Sequence, residues 1–309
     1  MTASRSVGQA LEGVRAALAE SQVTDPRREA DELYAAVVCG ATSAAFLDRD
    51  KPIAPAVADR LSIAALKRAA GWPQAYAAGR ANFRGHWLSV DQRVLIPRPE
   101  TEGLVELVLD WLRTPKVGPS GRPLRDSLVL RQSDAPLLPV AADIGTGSGA
   151  IAIALALEAP LAGVIATDTS ADALNVALDN ALSLGAKERI SFRRGEYLVP
   201  LLGDKVDLIV SNPPYVATEE WESLDRSVKD YEPRLALDGG PDGLAPYREL
   251  AGQAREALTP GGLLALEADA RRAQETANLL SDAGLTGVHV HNDLFGRPRY
   301  VLGRQPEHQ

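Results

Sequence analysis

The segment Ser211-Asn212-Pro213-Pro214-Tyr215 has the residue types needed to hold a planar amino group. Consecutive prolines fix φ and keep Asn212 out of the helical region, so the segment is rigid and extended. We expect the Asn212 side-chain oxygen and the Pro213 carbonyl to point the same way, each accepting one hydrogen of an NH2 group. The nitrogen would then face an incoming methyl group, with Tyr215 packed on the planar group that carries it. The alternative is a proline-rich turn that only ends a strand.

A glycine loop lies between a predicted strand and a predicted helix, with the sequence Asp-Ile-Gly-Thr-Gly-Ser-Gly-Ala from Asp143. Gly145, Gly147 and Gly149 let the backbone approach a ligand where a Cβ would collide. Asp168 ends the next predicted strand, 23 residues after Gly145, where it could accept hydrogen bonds from both ribose hydroxyls. The loop also satisfies the dinucleotide pattern G-x-G-x-x-A, so a dehydrogenase stays open, as does a tight turn without a ligand.

Two features favour S-adenosylmethionine over NAD at this loop. Asp143 precedes the glycines, where a carboxylate suits the ammonium group of a cationic ligand and disfavours a pyrophosphate. The third predicted strand ends in Gly195-Glu196-Tyr197, which offers an acid and an aromatic face for an adenine. Glu196 and Tyr197 could equally form an ordinary solvated turn.

Alternating strands and helices after residue 139 would bring these segments together. The pattern predicts strands at 140–144, 164–168, 190–192, 206–210 and 263–267, helices at 150–157 and 171–184, and an antiparallel pair at 288–291 and 300–302. Five strands with helical crossovers and a terminal hairpin give a doubly wound α/β sheet. We therefore expect the ligand crevice at the carboxyl ends of the first and fourth strands.

The N-terminal part has a different pattern. Apolar spacing predicts helices at 7–19, 25–40 and 54–70, an alternating hairpin at 82–90, and a helix at 101–111 after Pro97 and Pro99. Residues 114–139 hold five prolines and are predicted to be an exposed, mobile loop insertion. We predict a helical domain at 1–75, a hairpin linker at 76–100 and the α/β domain at 101–309.

Composition and charge exclude several classes of protein. The single cysteine, Cys39, excludes a disulfide framework, and with four histidines we expect no metal site. No apolar run approaches about 18 residues, so we expect a cytoplasmic protein without a membrane partner. Residues 1–85 hold 11 Lys and Arg against 9 Asp and Glu, and the remainder hold 22 against 32. The excess of acidic residues in 86–309 disfavours direct nucleic-acid binding.

Together these motifs resemble the S-adenosylmethionine-dependent protein-(glutamine-N5) methyltransferases that modify translation termination factors. Asn-Pro-Pro-Tyr alone is shared with DNA and RNA amino-methyltransferases, whereas the full set is more specific. The resemblance extends over most of the chain, including the segments 25–30, 73–79, 95–102, 232–244 and 293–299.

The resemblance implies a Rossmann-like class I methyltransferase sheet of seven strands, mostly parallel with an antiparallel terminal hairpin, plus a small N-terminal helical domain that recognises the substrate. It implies methylation of the glutamine in the Gly-Gly-Gln motif of peptide chain release factors. With the residue types above, it assigns cofactor binding to Asp143, Gly145, Thr146, Gly147, Ser148, Gly149, Asp168, Glu196, Tyr197 and Asn212. It assigns substrate binding to Asn212, Pro213, Pro214 and Tyr215, and catalysis to Asn212, Pro213 and Tyr215.

Two features depart from the family, and several alternatives stay open. Glu267, the acid of the fifth strand, is followed by Ala268 where the family usually has a glycine nearby, and the 114–139 insertion is long. No histidine or carboxylate adjoins Asn212 in sequence, so we expect proton loss to solvent. The alternatives are an adenine amino-methyltransferase acting on nucleic acid, a glutamine methyltransferase acting on a ribosomal protein, a dehydrogenase, and a non-enzymatic binding protein. We expect a monomer.

Overall fold

The computed structural model describes residues 5–21, 23–113 and 139–307. Apart from Pro139, the predicted 114–139 insertion lies outside the described residues. The helices are α1 (Val7–Glu20), α2 (Pro26–Val38), α3 (Ala44–Leu47), α4 (Pro55–Ala69), α5 (Gln74–Ala78), α6 (Pro99–Arg113), α7 (Ala150–Glu158), α8 (Ala171–Ser183), α9 (Arg226–Lys229), α10 (Ala245–Ala257) and α11 (Ala273–Asp282). The strands are β1 (Arg80–Phe83), β2 (His86–Ser89), β3 (Val140–Ile144), β4 (Gly163–Asp168), β5 (Ile190–Arg194), β6 (Val206–Ser211), β7 (Leu258–Glu267), β8 (Thr286–Asn292) and β9 (Pro298–Arg304).

The described residues form two compact units, and each unit is made of two separate stretches of the chain. One unit comprises those within Met1–Pro97 and Glu222–Arg234, and the other those within Arg98–Trp221 and Leu235–Gln309. The domain boundaries predicted at 75 and 100 stay predictions. No helix in the described ranges is long and apolar enough to cross a membrane.

The first unit is a small helical bundle with a two-stranded hairpin. Local side chains fix two of the helix starts: Ser6 forms a capping box with Gln9, and Asp25 caps α2 ahead of Pro26. Buried leucines from α1, α2 and α4 fill its core. The later segment Glu222–Arg234 joins this unit, where Tyr231 packs on Trp72 at a ring-centroid distance of 5.1 Å.

The second unit is built on a seven-stranded sheet with the order β5-β4-β3-β6-β7-β9-β8. Strands β3 to β7 pair in parallel, whereas β9 is antiparallel to both β7 and β8. The predicted fold class, a mostly parallel sheet with an antiparallel terminal hairpin, is confirmed. Helices α10 and α11 pack on the sheet through Tyr247, Leu250 and Leu280, each with no measurable exposure.

The order in which successive strands are added to the sheet changes direction at β3. From β3 the chain adds β4 and then β5 on one side, whereas β6 and β7 lie on the other. Ligands of open α/β sheets bind at such a switch point, outside the carboxyl ends of the strands. A hydrogen bond of 2.7 Å from Ser211 Oγ to the Ile144 carbonyl joins these two ends. The predicted position of the crevice therefore coincides with the switch point.

Candidate functional site

The glycine loop follows β3 directly and turns through three left-handed residues. The φ angles of Gly145, Gly147 and Gly149 are 72°, 54° and 83°, a region that side chains disfavour. A Cβ on Gly145 or Gly147 would meet nothing within 4 Å, whereas one on Gly149 would lie 3.1 Å from the Ala177 Cβ. The first two glycines thus leave open space above the loop, and the third allows α7 and α8 to pack closely.

Asp143 lies beneath this loop as a fully buried acid. Its Oδ2 accepts hydrogen bonds from Thr146 Oγ1 at 2.7 Å and from the Ala152 amide at 3.0 Å. Its Oδ1 is buried and has no hydrogen-bond partner among the described residues. Burial raises the pKa of Asp143 to about 7. An unsatisfied buried acceptor of this kind is what a bound cationic donor would complete.

Asp168, at the end of β4, holds the glycine loop in place. Its Oδ2 accepts the Gly147 amide and its Oδ1 accepts the Ser170 amide, both at 2.9 Å. Burial raises the pKa of Asp168. Each carboxylate oxygen has a second lone pair, so each can accept one further hydrogen bond. The sequence analysis missed the support that Asp168 gives to the loop.

Glu196 and Tyr197 follow β5 on the Asp168 side of the crevice. The Gly195 amide donates to the Asp168 carbonyl at 3.0 Å, which holds the two chain segments together. Glu196 is exposed, and the half-buried Tyr197 has a φ of 44°. They line a surface cavity of about 390 Å³ together with residues outside the glycine loop: Val199, Ala245, Arg248, Glu249 and Gln253.

The proline segment, residues 211–215, begins where β6 ends. Backbone hydrogen bonds hold the residues that follow it. The Val216 amide donates to the Leu237 carbonyl at 2.9 Å, and the Gly239 amide donates to the Val216 carbonyl at 2.8 Å. Pro213 is buried, whereas Asn212 is partly exposed. The extended segment that follows β6 is therefore fixed at both of its ends.

Two glycines of the 237–243 segment pack directly on the backbone of the proline segment. A Cβ on Gly239 would lie 2.8 Å from the Pro214 carbonyl oxygen, and one on Gly243 would lie 2.5 Å from that of Tyr215. Gly243 also has a φ of 74°. Sequence reasoning found these glycines only as part of a resemblance, and the only signal for their role was the run Gly-Gly-Pro-Asp-Gly itself.

We expect Gly243→Ala to displace the proline segment and lower enzymatic turnover about tenfold, since small misplacements of reacting groups are costly. Gly203→Ala is the matched control, because Gly203 has a φ of 88° but a Cβ there would meet nothing within 4 Å. Both variants should lose stability by about 1–2 kcal/mol from the left-handed backbone alone. Thermal melts and turnover, measured on both variants, separate a loss of turnover from a loss of stability. Equal turnover in the two variants would contradict the proposed role of Gly243.

The Asn212 side chain is tied to two buried polar residues that lie far from it in sequence. Asn212 Nδ2 donates to Thr101 Oγ1 at 3.0 Å, and Thr101 Oγ1 donates to Glu267 Oε2 at 2.7 Å. Burial raises the pKa of Glu267 to about 7. No carboxylate adjoins Asn212 along the chain, but the fold brings one within two hydrogen bonds of it.

Comparisons with known proteins identify the family of the chain. Residues 127–239 match the family model of the methyltransferase small domain, and residues 9–79 match that of the PrmC N-terminal domain. The chain is 40% identical over 309 residues to a release factor glutamine methyltransferase of Moorella thermoacetica, covering 99% of this chain and 100% of the relative. Its identity to the protein of the same name is 39% in Chlorobaculum tepidum, over 93% of each chain, and 41% in Bordetella pertussis, over 90% and 94%.

A solved structure supports the fold alone. The hMettl16 catalytic domain in complex with MAT2A 3'UTR hairpin 6 matches with a TM-score of 0.51 and 15% identity, covering 82% of this chain and 83% of that one. The bound RNA belongs to that protein.

Proposed function

The chain belongs to the family of release factor glutamine methyltransferases, and from that premise we propose that it methylates the side-chain amide nitrogen (N5) of the glutamine in the Gly-Gly-Gln motif of release factors. The observation that carries the proposal is the rigid proline segment at the end of β6, facing the glycine loop at the end of β3. The loop that would bind the methyl donor and the segment that would hold the acceptor amide then lie together at the switch point of a class I methyltransferase sheet.

The proposed methyl donor is S-adenosylmethionine, which supplies an electrophilic methyl group on a sulfonium. Its ammonium group suits the unsatisfied Oδ1 of Asp143. Its ribose hydroxyls suit the remaining lone pairs of Asp168, and the backbone of Gly145 and Gly147 leaves space for it. Glu196 and Tyr197 would border the adenine. Thr146, Ser148 and Gly149 complete the loop: Thr146 holds Asp143, and the Ser148 carbonyl accepts from the Asn180 side chain at 2.9 Å.

The acceptor nitrogen is a poor nucleophile because its lone pair is delocalised into the carbonyl, so catalysis depends on orientation and electrostatics. In the proposal, Asn212 Oδ1 and the Pro213 carbonyl each accept one amide hydrogen, which fixes the nitrogen and raises its electron density. Pro214 keeps the segment extended, and Tyr215 packs on the amide plane. The proton is lost to solvent after transfer.

Charge and family membership both argue against the alternatives. A nucleic-acid substrate needs a basic groove, and residues 86–309 hold 22 Lys and Arg against 32 Asp and Glu. A dehydrogenase would place a pyrophosphate beside Asp143, which is unfavourable when that carboxylate is ionised. For the helical unit we propose substrate recognition, supported by the match of residues 9–79 to a domain of this family.

Methyl transfer from labelled S-adenosylmethionine tests the substrate class directly. Purified release factor, ribosomal proteins and duplex DNA should be offered separately to the wild-type chain, with heat-inactivated enzyme as the control. We expect label in the release factor alone. Label in the ribosomal proteins or the DNA, with none in the release factor, would contradict the proposal.

Binding of the cofactor should release protons near pH 7. Asp143 has a pKa of about 7 in the described structure, and a cation bound at Oδ1 favours the charged form and lowers that pKa. At pH 7 about half of the free protein carries this proton, so binding releases up to about half a proton. Calorimetry in two buffers of different ionisation enthalpy measures the release. Asp143→Asn is the control, and an unchanged release in that variant would assign the proton elsewhere.

A further inference from the structure

The Asn212 carboxamide has a donor end and an acceptor end of nearly the same shape. Only the acceptor end, Oδ1, can receive a hydrogen from a substrate amide. In the structure the donor end is occupied, because Nδ2 donates to Thr101 Oγ1 at 3.0 Å. The direction of this side chain therefore depends on whether Thr101 offers a lone pair or a hydrogen.

The charge of Glu267 determines whether the Thr101 hydroxyl can donate to Asn212 or only accept from it. A hydroxyl has one hydrogen, and Thr101 gives it to Glu267 Oε2 at 2.7 Å. An ionised carboxylate accepts hydrogen bonds and cannot donate. As long as Glu267 is charged, Thr101 Oγ1 has only lone pairs left for Asn212, which must then present its NH2 end to Thr101 and turn Oδ1 away.

We propose that Thr101 and ionised Glu267 fix the direction of the Asn212 carboxamide, so that Oδ1 faces the substrate amide. The inference rests on the proposed function, which requires an acceptor at this point. Thr101 and Glu267 are positioning residues, since both act through Asn212. We refer to Asn212, Thr101 and Glu267 together as the amide relay.

The elements around the amide relay are held firmly. Tyr300 donates from its hydroxyl to the Glu100 carbonyl at 2.6 Å, which anchors the first turn of α6 where Thr101 lies. A Cβ on Gly103 would overlap that hydroxyl oxygen, so the glycine allows β9 to approach α6. Thr101 is only 4% exposed, so water is not a ready replacement for its hydroxyl.

A proton on Glu267 would remove this preference. Protonated Glu267 can donate to Thr101, whose hydrogen is then free to point at Asn212 Oδ1, and the carboxamide can turn its NH2 end to the substrate. Two donors would then face each other. Because burial raises the pKa of Glu267 to about 7, this change falls within an ordinary assay range. Methyl transfer should therefore decrease as the pH falls below about 7.

Other charged groups around Glu267 shift its pKa in both directions. Arg299 on β9 has its Nη1 3.9 Å from Glu267 Oε1 and favours the charged form, as does Arg98 before α6. Glu100 on α6 opposes it. The other titratable groups that face Glu267 among the described residues are Tyr215 after β6, Tyr247 on α10, Tyr300 on β9 and Asp293 after β8.

A double-mutant cycle tests whether Thr101 acts through Asn212. Single-turnover transfer to release factor at saturating cofactor should fall about tenfold in Thr101→Val, the loss of an orienting hydrogen bond, and by less than about threefold in Thr101→Ser, which keeps the hydroxyl. Thr101→Val placed on Asn212→Ala should cause no further loss. Cofactor affinity should not change. A wild-type rate in Thr101→Val, or the same loss in both backgrounds, would overturn the proposal.

The pH dependence supplies an independent test with two readouts. At saturating S-adenosylmethionine, which keeps Asp143 ionised, the single-turnover rate of the wild type should decrease between pH 8 and pH 6, about the Glu267 pKa of 7. Glu267→Gln should give a flat, lower profile. The side-chain NH2 signals of Asn212, assigned in nuclear magnetic resonance spectra with Asn212→Ala, should shift over the same range in the wild type and not in Glu267→Gln.

These readouts separate the two proposals. If the wild type transfers no methyl group to release factor, the proposed function fails, and the Asn212 signals alone decide the amide relay. If transfer occurs but Glu267→Gln keeps the wild-type pH profile and the Asn212 signals do not titrate, the amide relay is wrong and the function stands.

Discussion

Replacing Asn212 with alanine is expected to lower the rate of methyl transfer about 10²–10³-fold while S-adenosylmethionine still binds. The Asn212 oxygen is the proposed acceptor for one amide hydrogen, so the substrate nitrogen would lose its fixed orientation. Single-turnover transfer and cofactor titration, measured on the same preparation, give the two results. A rate above a tenth of the wild-type rate would contradict the clamp.

Asn212→Asp is the sharper companion variant. It keeps an acceptor of nearly the same shape but has no donor for Thr101 Oγ1, which in the wild type receives Asn212 Nδ2 at 3.0 Å. The new carboxylate would share the Thr101 hydroxyl with buried Glu267 and raise the cost of ionising either acid. We expect this variant to transfer slowly, with a pH profile that differs from that of the wild type.

Replacing Asp168 with alanine is expected to weaken cofactor binding by about 1.5–3 kcal/mol, roughly tenfold to over a hundredfold in affinity. The loss has two physical sources: the acceptors for the ribose hydroxyls, and the hydrogen bonds that hold the Gly147 and Ser170 amides. Calorimetric titration with S-adenosylmethionine measures the effect. Wild-type affinity in this variant would exclude Asp168 from the cofactor site.

Asp168→Asn keeps part of each source. Its side-chain oxygen can still accept one of the two backbone amides, while its NH2 group cannot accept from a hydroxyl. We expect an affinity between those of the wild type and Asp168→Ala. If the asparagine variant is as weak as the alanine variant, the negative charge and the second acceptor oxygen account for most of the loss.

Local sequence was enough to predict where the continuous segments of the candidate site lie in the fold. The glycine loop, Asp168 and the proline segment each follow a strand, and the order of strands and helices predicts that β3 and β6 end side by side. Left-handed glycines and consecutive prolines restrict the backbone wherever they occur, so their effect is visible without tertiary contacts. The comparisons confirm the family that these motifs suggested.

The contacts that support the site were not predictable, because their partners lie far apart in sequence. Thr101 is 111 residues from Asn212 and 166 from Glu267, and neither a threonine nor a strand-end glutamate has a local signature for such a role. The packing of Gly243 on Tyr215 depends on how the 237–243 segment folds back. The sequence analysis also gave no bounds for α10 and α11, and it started β7 at 263 rather than at Leu258.

The division into two units also depends on contacts between residues that lie far apart in sequence. Glu222–Arg234 follows the proline segment in the chain, yet it belongs to the helical unit, where Glu232 accepts the Ile96 amide at 3.2 Å. Sequence analysis that proceeds along the chain assigns such a segment to the domain that surrounds it in sequence. Only the folded contacts reveal that it joins the other unit.

Site-resolved mass spectrometry of release factor tests the central claim most directly. Purified factor is incubated with the wild-type chain and S-adenosylmethionine, digested, and its fragments are sequenced, beside a factor in which the Gly-Gly-Gln glutamine is replaced by alanine and beside the Asn212→Ala enzyme. The account predicts one added methyl group, on the side-chain nitrogen of that glutamine, and none in either control. A methyl group at any other residue, with the Gly-Gly-Gln fragment unmodified, would contradict it.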